Sequence, residues 1–269
     1  MTTTPTAPAL TTGWESHLPD TDSLCLRWLR HWAAQCAALA HAAGGIVTHD
    51  ERYLLADHTR PASFFNAAVL LTPPSAPGQL SMLLDEIEAR THVGTGDVYL
   101  WSLWPTPDLS RRGWVLDGHP PLMVRPPGPT PAAEGAPPER VRSAAELARW
   151  EAVLVDGYPL TEVELTQPGT LIGPTLLEDE RFRFWLSSEH GRPAAISAQF
   201  VAHGLASFAL GVTLPSARRA GHWSRHARLR LRTEPHRWHA GVFSDDSSPG
   251  AERLGFTPII RHTLWHRPR

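Results

Sequence analysis

The stretch that decides the fold is Ala206-Ser-Phe-Ala-Leu-Gly-Val-Thr213, which runs into Leu214-Pro-Ser-Ala-Arg-Arg-Ala-Gly-His222. Its first part predicts a strand, and the residues after Gly221 predict a helix that reaches about Thr233. The start of a helix presents unpaired backbone N–H groups and the positive end of the macrodipole. Because a glycine at that turn lets a phosphate approach the backbone closely, the stretch predicts an anion site.

The sequence before and after this stretch predicts a mixed α/β layout. Ser143-Ala-Ala-Glu146 is a capping-box pattern that opens a helix with apolar residues at helical spacing. The remaining predicted elements are a short helix at Thr175–Glu180, strands at Phe182–Ser187, Ala194–Ala202 and Trp238–Ser244, a short helix at Pro249–Leu254 and a last strand at Thr257–Trp265. Strands that alternate with helices in this order are typical of a mixed sheet covered by helices.

The N-terminal half shows a similar order of elements. They are a helix at Leu24–Ala43, a hairpin of Ile46–Thr48 with Tyr53–Ala56, a strand at Phe65–Leu71, a helix from Gly78 to Arg90, a strand at Val98–Trp104 and a strand or pair of strands at Trp114–Val124. No Arg-x-x-Gly pattern precedes the helix at Gln79. We interpret this half as a degenerate copy of the C-terminal half, and the alternative is an unrelated α/β domain.

A proline-rich segment divides the chain. Residues 126–138 contain six prolines in thirteen positions, which is incompatible with a helix or a central strand. The predicted organisation is therefore a first domain at 1–125, an extended linker at 126–138 and a second domain at 139–269.

The C-terminal half resembles the coenzyme-A-binding core of the GNAT superfamily of N-acyltransferases. The phosphate loop of that family follows Gln/Arg-x-x-Gly-x-Gly/Ala, and here it reads Arg218-Arg-Ala-Gly221-His-Trp223. Arg218 and Gly221 match, whereas Trp223 replaces a small residue. An indole at this turn either crowds the pyrophosphate or points away from it. The resemblance implies a fold of two GNAT-like domains in tandem.

The resemblance also implies acetyl-coenzyme A as the acyl donor and assigns residues to it. Backbone groups at Leu210, Gly211 and Val212 are expected to pair with the pantetheine arm, and one N–H there to polarise the thioester carbonyl. The cofactor phosphates are expected against the loop and the helix start, which comprise Arg218, Arg219, Ala220, Gly221, His222, Trp223 and Ser224.

A second family motif is incomplete. Where the family often has Tyr-x-x-Leu-Gly-Phe, this chain has Ala251-Glu-Arg-Leu-Gly-Phe256, and Ala251 has no proton to give to a leaving thiolate. The first hypothesis is an N-acetyltransferase that acts on an amine of a small molecule or peptide. The alternatives are a catalytically impaired acyl-coenzyme-A-binding or regulatory module and a structural, partner-binding protein.

Three residues are candidates for proton transfer, which an amine acceptor requires. They are His203 at a predicted turn, Asp245 after a strand and Ser248 near the missing tyrosine. Each has a simpler interpretation, as a turn histidine, a solvated loop acid and a helix N-cap. His222 and His226 are four residues apart on a predicted helix, but no third ligand lies nearby in the sequence, so we expect no metal.

Composition excludes several classes of partner. A net charge of -2 gives no electrostatic case for nucleic acid or an anionic membrane surface. No apolar run reaches the ~18 residues that cross a bilayer. Residues 1–12 lack the basic and apolar regions of a signal peptide, so we expect a cytoplasmic protein, either a monomer or a homodimer.

Overall fold

The computed structural model describes residues 24–74, 76, 78–91, 94–130, 134–158, 160, 163 and 169–269. The predicted absence of a signal peptide at residues 1–12 and part of the predicted linker, residues 131–133, lie outside them. The helices of the described part are α1 (Leu24–Ala42), α2 (Gln79–Thr91), α3 (Ala144–Gly157), α4 (His222–Thr233) and α5 (Ser248–Arg253). None of them is long and apolar enough to cross a membrane.

The strands form two sheets. Those before the proline-rich segment are β1 (Ile46–His49), β2 (Tyr53–Asp57), β3 (Ala67–Leu70), β4 (Val98–Ser102), β5 (Val115–Gly118) and β6 (Pro121–Arg125). Those after it are β7 (Glu139–Arg140), β8 (Phe182–Glu189), β9 (Arg192–Ala202), β10 (Leu205–Ser207), β11 (Ala209–Thr213), β12 (Trp238–Val242), β13 (Thr257–Arg261) and β14 (Thr263–Arg267).

Each sheet is mixed. The first has the order β1-β2-β3-β4-β14-β5, and the second has the order β13-β6-β12-β10-β9-β8-β7, with β11 also paired to β9. Among the described strands, the parallel pairs are β3 with β4 and β10 with β12, each connected by a helix. The predicted mixed α/β class is confirmed, and each sheet contains one βαβ unit.

The two halves of the chain exchange strands, which the sequence analysis did not predict. β6 precedes the proline-rich segment but lies in the second sheet, and β14 comes from the C-terminal half but lies in the first. The division into domains at 1–125 and 139–269 stays a prediction about the sequence. The pairing shows that neither half contains all the strands of its own sheet.

The expectation of one last strand at Thr257–Trp265 is wrong. The run is divided at His262, which is buried and marks the crossing from one sheet to the other. The His262 backbone N–H donates to the Pro120 carbonyl over 3.0 Å. Its Nε2 accepts from the Trp28 indole over 3.0 Å. These contacts fix the point where the chain changes sheets.

The short helix expected at Thr175–Glu180 is instead one 3-10 turn, Pro174–Leu177. The capping box before α3 is confirmed, since the Ser143 hydroxyl accepts from the Glu146 N–H and the Glu146 carboxylate accepts from the Ser143 N–H. Helix α1 contacts β2 and β3 of the first sheet and β9 and β10 of the second. Its buried face therefore joins the two sheets into one packed body.

Candidate functional site

A cleft opens where two strands of the second sheet separate. β10 and β12 pair over Leu205–Ser207, and the Phe208 N–H donates to the Ala240 carbonyl over 2.8 Å. Beyond this bond, in the described part of the chain, β11 pairs only with β9, while β12 continues along β6. The predicted strand Ala206–Thr213 is therefore two strands, and the second diverges from β12.

A bulge produces the change of direction. The register between β11 and β9 shifts between Ala209 and Val212, and Leu210 has a φ of 44°. A bulge adds a residue to one strand and bends it away from its neighbour. Leu210, Gly211 and Val212, which the resemblance assigned to the pantetheine arm, thus lie on the strand that lines the cleft.

The start of α4 lies beyond the end of β11. Gly221 is its N-cap with a φ of 78°, and no side chain caps the helix. The N–H groups of His222, Trp223 and Ser224 have no partner within the helix because of their position in its first turn. The structure thus brings the predicted loop and the predicted strand to the same end of the second sheet.

Arginines surround this helix start together with one acid, Glu189, whose carboxylate lies 3.8 Å from the His222 Nε2. Arg218 and Arg219 are exposed, and the Arg225 guanidinium donates to the Ala220 carbonyl over 2.9 Å. The first turn of α4 has no acidic residue. An anion at this turn would meet the helix dipole and cationic side chains, with no acid in the turn itself to oppose it.

Trp223 points away from the loop. A Cβ added at Gly250 would lie 2.8 Å from the indole, so the ring packs directly on the backbone of α5. The ring also packs against the apolar cluster that contains Phe208 and Phe256. Of the two alternatives for this residue, the structure supports the one in which the indole leaves the phosphate turn open.

The Leu-Gly-Phe motif contributes packing. Phe256 contacts Phe208 and Phe243, with ring centroids 4.9 and 5.2 Å apart. Ala251 is fully buried in α5 beside them. The position that resembles the family tyrosine therefore carries a methyl group enclosed in the core.

His203 lies apart from the cleft. It is exposed at the turn between β9 and β10, with a φ of 48°. Seven residues at about 3.3 Å each place it some 20 Å along the chain from Leu210. Partial burial lowers the pKa of His203, and the charges of Arg30 and Arg181 lower it further. Its role as a base stays a prediction, and the structure does not bring it to the other candidates.

Asp245 and Ser248 lie after the end of β12. Asp245 is exposed, and the Ser248 hydroxyl donates to the Ser244 carbonyl over 3.0 Å. That bond is typical of a turn, whereas the N-cap of α5 is Ser247, which makes no side-chain capping bond. Their catalytic roles also stay predictions.

His226 has two hydroxyl partners. Its Nε2 lies 2.8 Å from the Ser187 Oγ and its Nδ1 lies 2.7 Å from the Ser197 Oγ. Burial holds the pKa of His226 well below its usual range. The described residues contain no group of three His, Cys, Asp or Glu that could hold a metal ion.

The sequence analysis missed two residues at the cleft, Arg230 and Tyr158. Arg230 is 3% exposed, on the same face of α4 as the buried Ala227 and His226. The Tyr158 hydroxyl donates to the Gly211 carbonyl over 3.2 Å. Helical spacing could have shown Arg230, since an arginine among core positions of an amphipathic helix is unusual.

No protein-family model matches the sequence, and no curated protein sequence matches it either. Solved structures do match. A GCN5-related N-acetyltransferase from Kribbella flavida superposes with a TM-score of 0.65 at 20% identity, over 92% of this chain and 97% of that one. A GCN5-related N-acetyltransferase from Sphaerobacter thermophilus gives a TM-score of 0.52 at 12% identity, over 88% and 91%.

A third match is N-myristoyltransferase from Saccharomyces cerevisiae, solved with myristoyl-CoA. Its TM-score is 0.53 at 10% identity, over 75% of this chain and 58% of that one. These likenesses establish the fold, which is that of the GCN5-related N-acetyltransferases, as the sequence predicted. That the N-terminal half is a degenerate copy stays a prediction.

Proposed function

We propose that the protein transfers an acyl group, in the first instance acetyl, from coenzyme A to an amine of a small molecule or peptide. The observation that carries this proposal is the cleft between β11 and β12, which ends at an uncapped helix start with arginines and no acid in its first turn. The shared fold supports it. The predicted cytoplasmic location, the monomeric or homodimeric state and the lack of nucleic-acid and membrane partners stay predictions.

The geometry suits a thioester donor in two ways. The edge of β11 that faces away from β9 offers backbone groups to an extended chain, as a strand edge does for a peptide. The N–H groups of His222, Trp223 and Ser224, with Arg218 and Arg219 nearby, suit the phosphates at the other end of the donor.

The reaction needs little covalent chemistry from the protein. The neutral amine attacks the thioester carbonyl, the C–N bond forms and the nitrogen loses one proton. The C–S bond breaks, and the thiolate leaves and takes up a proton. A backbone N–H aimed at the carbonyl oxygen stabilises the charge that develops there. We keep His203, Asp245 and Ser248 as proposals for proton transfer.

The second candidate function is an acyl-coenzyme-A-binding module without turnover. One observation favours it, namely the fully buried methyl group of Ala251 where the family resemblance expects a proton donor. The two candidates share the binding site and differ only in chemistry.

The test is coenzyme A release, followed with a thiol reagent, when the protein is mixed with acetyl-coenzyme A and a panel of amines. Amine-dependent release above the rate without amine is the expected result. Saturable binding of acetyl-coenzyme A without release for any amine would favour the binding module. Absence of binding at millimolar concentration would contradict both candidates.

A further inference from the structure

Arg230 is a buried cation at the base of the cleft. Its Nη1 donates to the carbonyls of Ala198 and Ala209 over 3.3 and 3.5 Å, and its Nε donates to the carbonyl of His226 over 3.3 Å. Its guanidinium carbon lies 4.0 Å from the centroid of the Phe208 ring. All of these partners are uncharged.

Within the described residues, Arg230 forms no salt bridge, and the hydrogen bonds of its side chain go from Nε and Nη1 to backbone carbonyls. Burial lowers the pKa of Arg230 to about 9. A buried guanidinium is normally paired with an anion because its desolvation is costly. A bound anion would offset the desolvation of this guanidinium.

The route to this guanidinium passes over Gly211. Gly211 is exposed, and a Cβ added there would lie 3.6 Å from both Nη atoms of Arg230. Any side chain at this position would cover the guanidinium, whereas glycine leaves its edge within reach of the cleft.

The Tyr158 hydroxyl lies at the same place. It donates to the Gly211 carbonyl over 3.2 Å. Burial raises the pKa of Tyr158, and the nearby charge of Arg230 lowers it by a smaller amount. Gly211, Tyr158 and Arg230 thus form one polar corner beside β11.

We propose that Arg230 binds a carboxylate that enters the cleft along β11, and that the Tyr158 hydroxyl turns from the Gly211 carbonyl to donate to this carboxylate. A guanidinium offers a planar pair of donors that matches a carboxylate, and one positive charge matches a monoanion. Arg230 lies about 13 Å along α4 from Gly221, so this corner is separate from the phosphate turn. The inference rests on the proposed function and specifies that the acyl donor or the amine acceptor carries a carboxylate.

The carboxylate has two sources with the same chemistry. One is the far end of the acyl chain, as in succinyl-coenzyme A compared with acetyl-coenzyme A. The other is the acceptor, as in phenylalanine compared with phenethylamine, which lacks only the carboxylate. Binding of each pair to the intact protein is measured by calorimetry, so the readout does not depend on turnover.

The expected result is that, in at least one pair, the carboxylate-bearing member binds at least tenfold more tightly than its partner. Arg230→Met should remove that preference, and Tyr158→Phe, at a half-exposed side chain, should reduce it about threefold. Arg232→Met removes a charge from the exposed face of the same helix and should leave the preference unchanged.

Equal affinities within both pairs would overturn the proposal, as would a preference that survives Arg230→Met. If Arg230→Met does not fold, the Tyr158→Phe comparison decides the question alone, and an unchanged preference in that variant contradicts the carboxylate site. Failure of the proposed function is a separate result, because it appears as the absence of acetyl-coenzyme A binding or turnover in the wild-type protein.

Discussion

The two βαβ units of this protein begin their helices with the same backbone geometry, but the helices themselves carry different charges. Gly78 before α2 and Gly221 before α4 both have a φ of 78°. Each accepts a hydrogen bond from the residue four positions later, Met82 over 3.0 Å and Arg225 over 3.1 Å. The backbone alone therefore does not distinguish a binding unit from a structural one.

The side chains distinguish them. Helix α2 carries Asp85, Glu86 and Glu88, which pair with arginines of the first sheet and its loops. Helix α4 carries arginines and no acid. An anion would meet carboxylates as well as arginines along α2, whereas α4 itself presents arginines and no acid.

The strands before the helices differ as well. β3 pairs with β4 from Ala67 to Val69 in regular register. In the second unit the bulge at Leu210 turns β11 away from β12. The comparison teaches that a βαβ unit becomes a candidate donor site only when the strand break and the positive helix start occur together.

Lowering the pH should have the largest effect on stability, and it should destabilise both units together. Burial lowers the pKa of four histidines to about 4, namely His31, His58, His239 and His262. Because the unfolded state takes up protons near pH 6.5 and the folded state does not, stability is complete above pH 6.5 and falls as the pH drops toward 4.

Each such histidine accounts for about 2 kcal/mol of lost stability at pH 5, so the sum approaches the whole stability of a typical domain. Urea unfolding at pH 7.5, 6 and 5 should show one transition that moves to lower urea. A midpoint that does not change between pH 7.5 and 5 would contradict the buried, neutral state of these side chains.

Gly221→Glu should have the next largest effect. It places a carboxylate at the phosphate turn and should weaken acetyl-coenzyme A binding more than 100-fold, equivalent to about 2.7 kcal/mol. Gly78→Glu is the matched control, since both glycines have the same positive φ and the backbone strain is comparable. The control should bind normally in calorimetry, and equal losses in both variants would mean that strain rather than charge is responsible.

Trp223→Ala should lower the free energy of unfolding by roughly 1–3 kcal/mol, because the indole packs on Gly250 and the apolar cluster near α5. Affinity for acetyl-coenzyme A should change less than threefold. Leu80 lies two residues after Gly78, as Trp223 lies two residues after Gly221. Leu80→Ala should therefore also lower the free energy of unfolding, through the first unit. A marked gain in affinity for Trp223→Ala would show that the indole obstructs the turn.

Replacing both Arg218 and Arg219 by Ala should weaken binding about tenfold, or about 1.4 kcal/mol, at low salt. Both side chains are exposed, so the effect should shrink as the ionic strength rises. The double variant Arg142→Ala and Arg149→Ala removes two exposed charges near α3 and serves as the control. If that control lost affinity by the same factor, the effect would come from the overall charge of the protein and not from contact between the arginines and the donor.

Local patterns predicted the elements well because their causes are local. The glycine and the helical spacing after Gly221 predicted α4, and the capping box at Ser143 predicted α3. Strand exchange has no local cause. The run Thr257–Trp265 contains no turn residue at His262, and its division depends on contacts with Pro120 and Trp28, which are distant in sequence.

The site was predicted in part for the same reason. The loop before α4 and the strand β11 carry a recognisable sequence pattern and follow each other in the chain, whereas their roles in donor binding stay predictions. For Arg230 the sequence offered only an unusual arginine among the core positions of a helix, because its surroundings depend on a bulge that forms only in the folded sheet. Trp223 was ambiguous in the sequence, since the direction of its ring depends on the packing of α5.

The central claim is that one of the two units, the second, binds the acyl donor. Calorimetric titration of the intact protein with acetyl-coenzyme A tests it most directly, because the method counts sites. If the second unit alone binds the donor, the titration gives one site per chain, which Gly221→Glu abolishes and Gly78→Glu does not. Two sites per chain, or a single site that persists in Gly221→Glu, would contradict it.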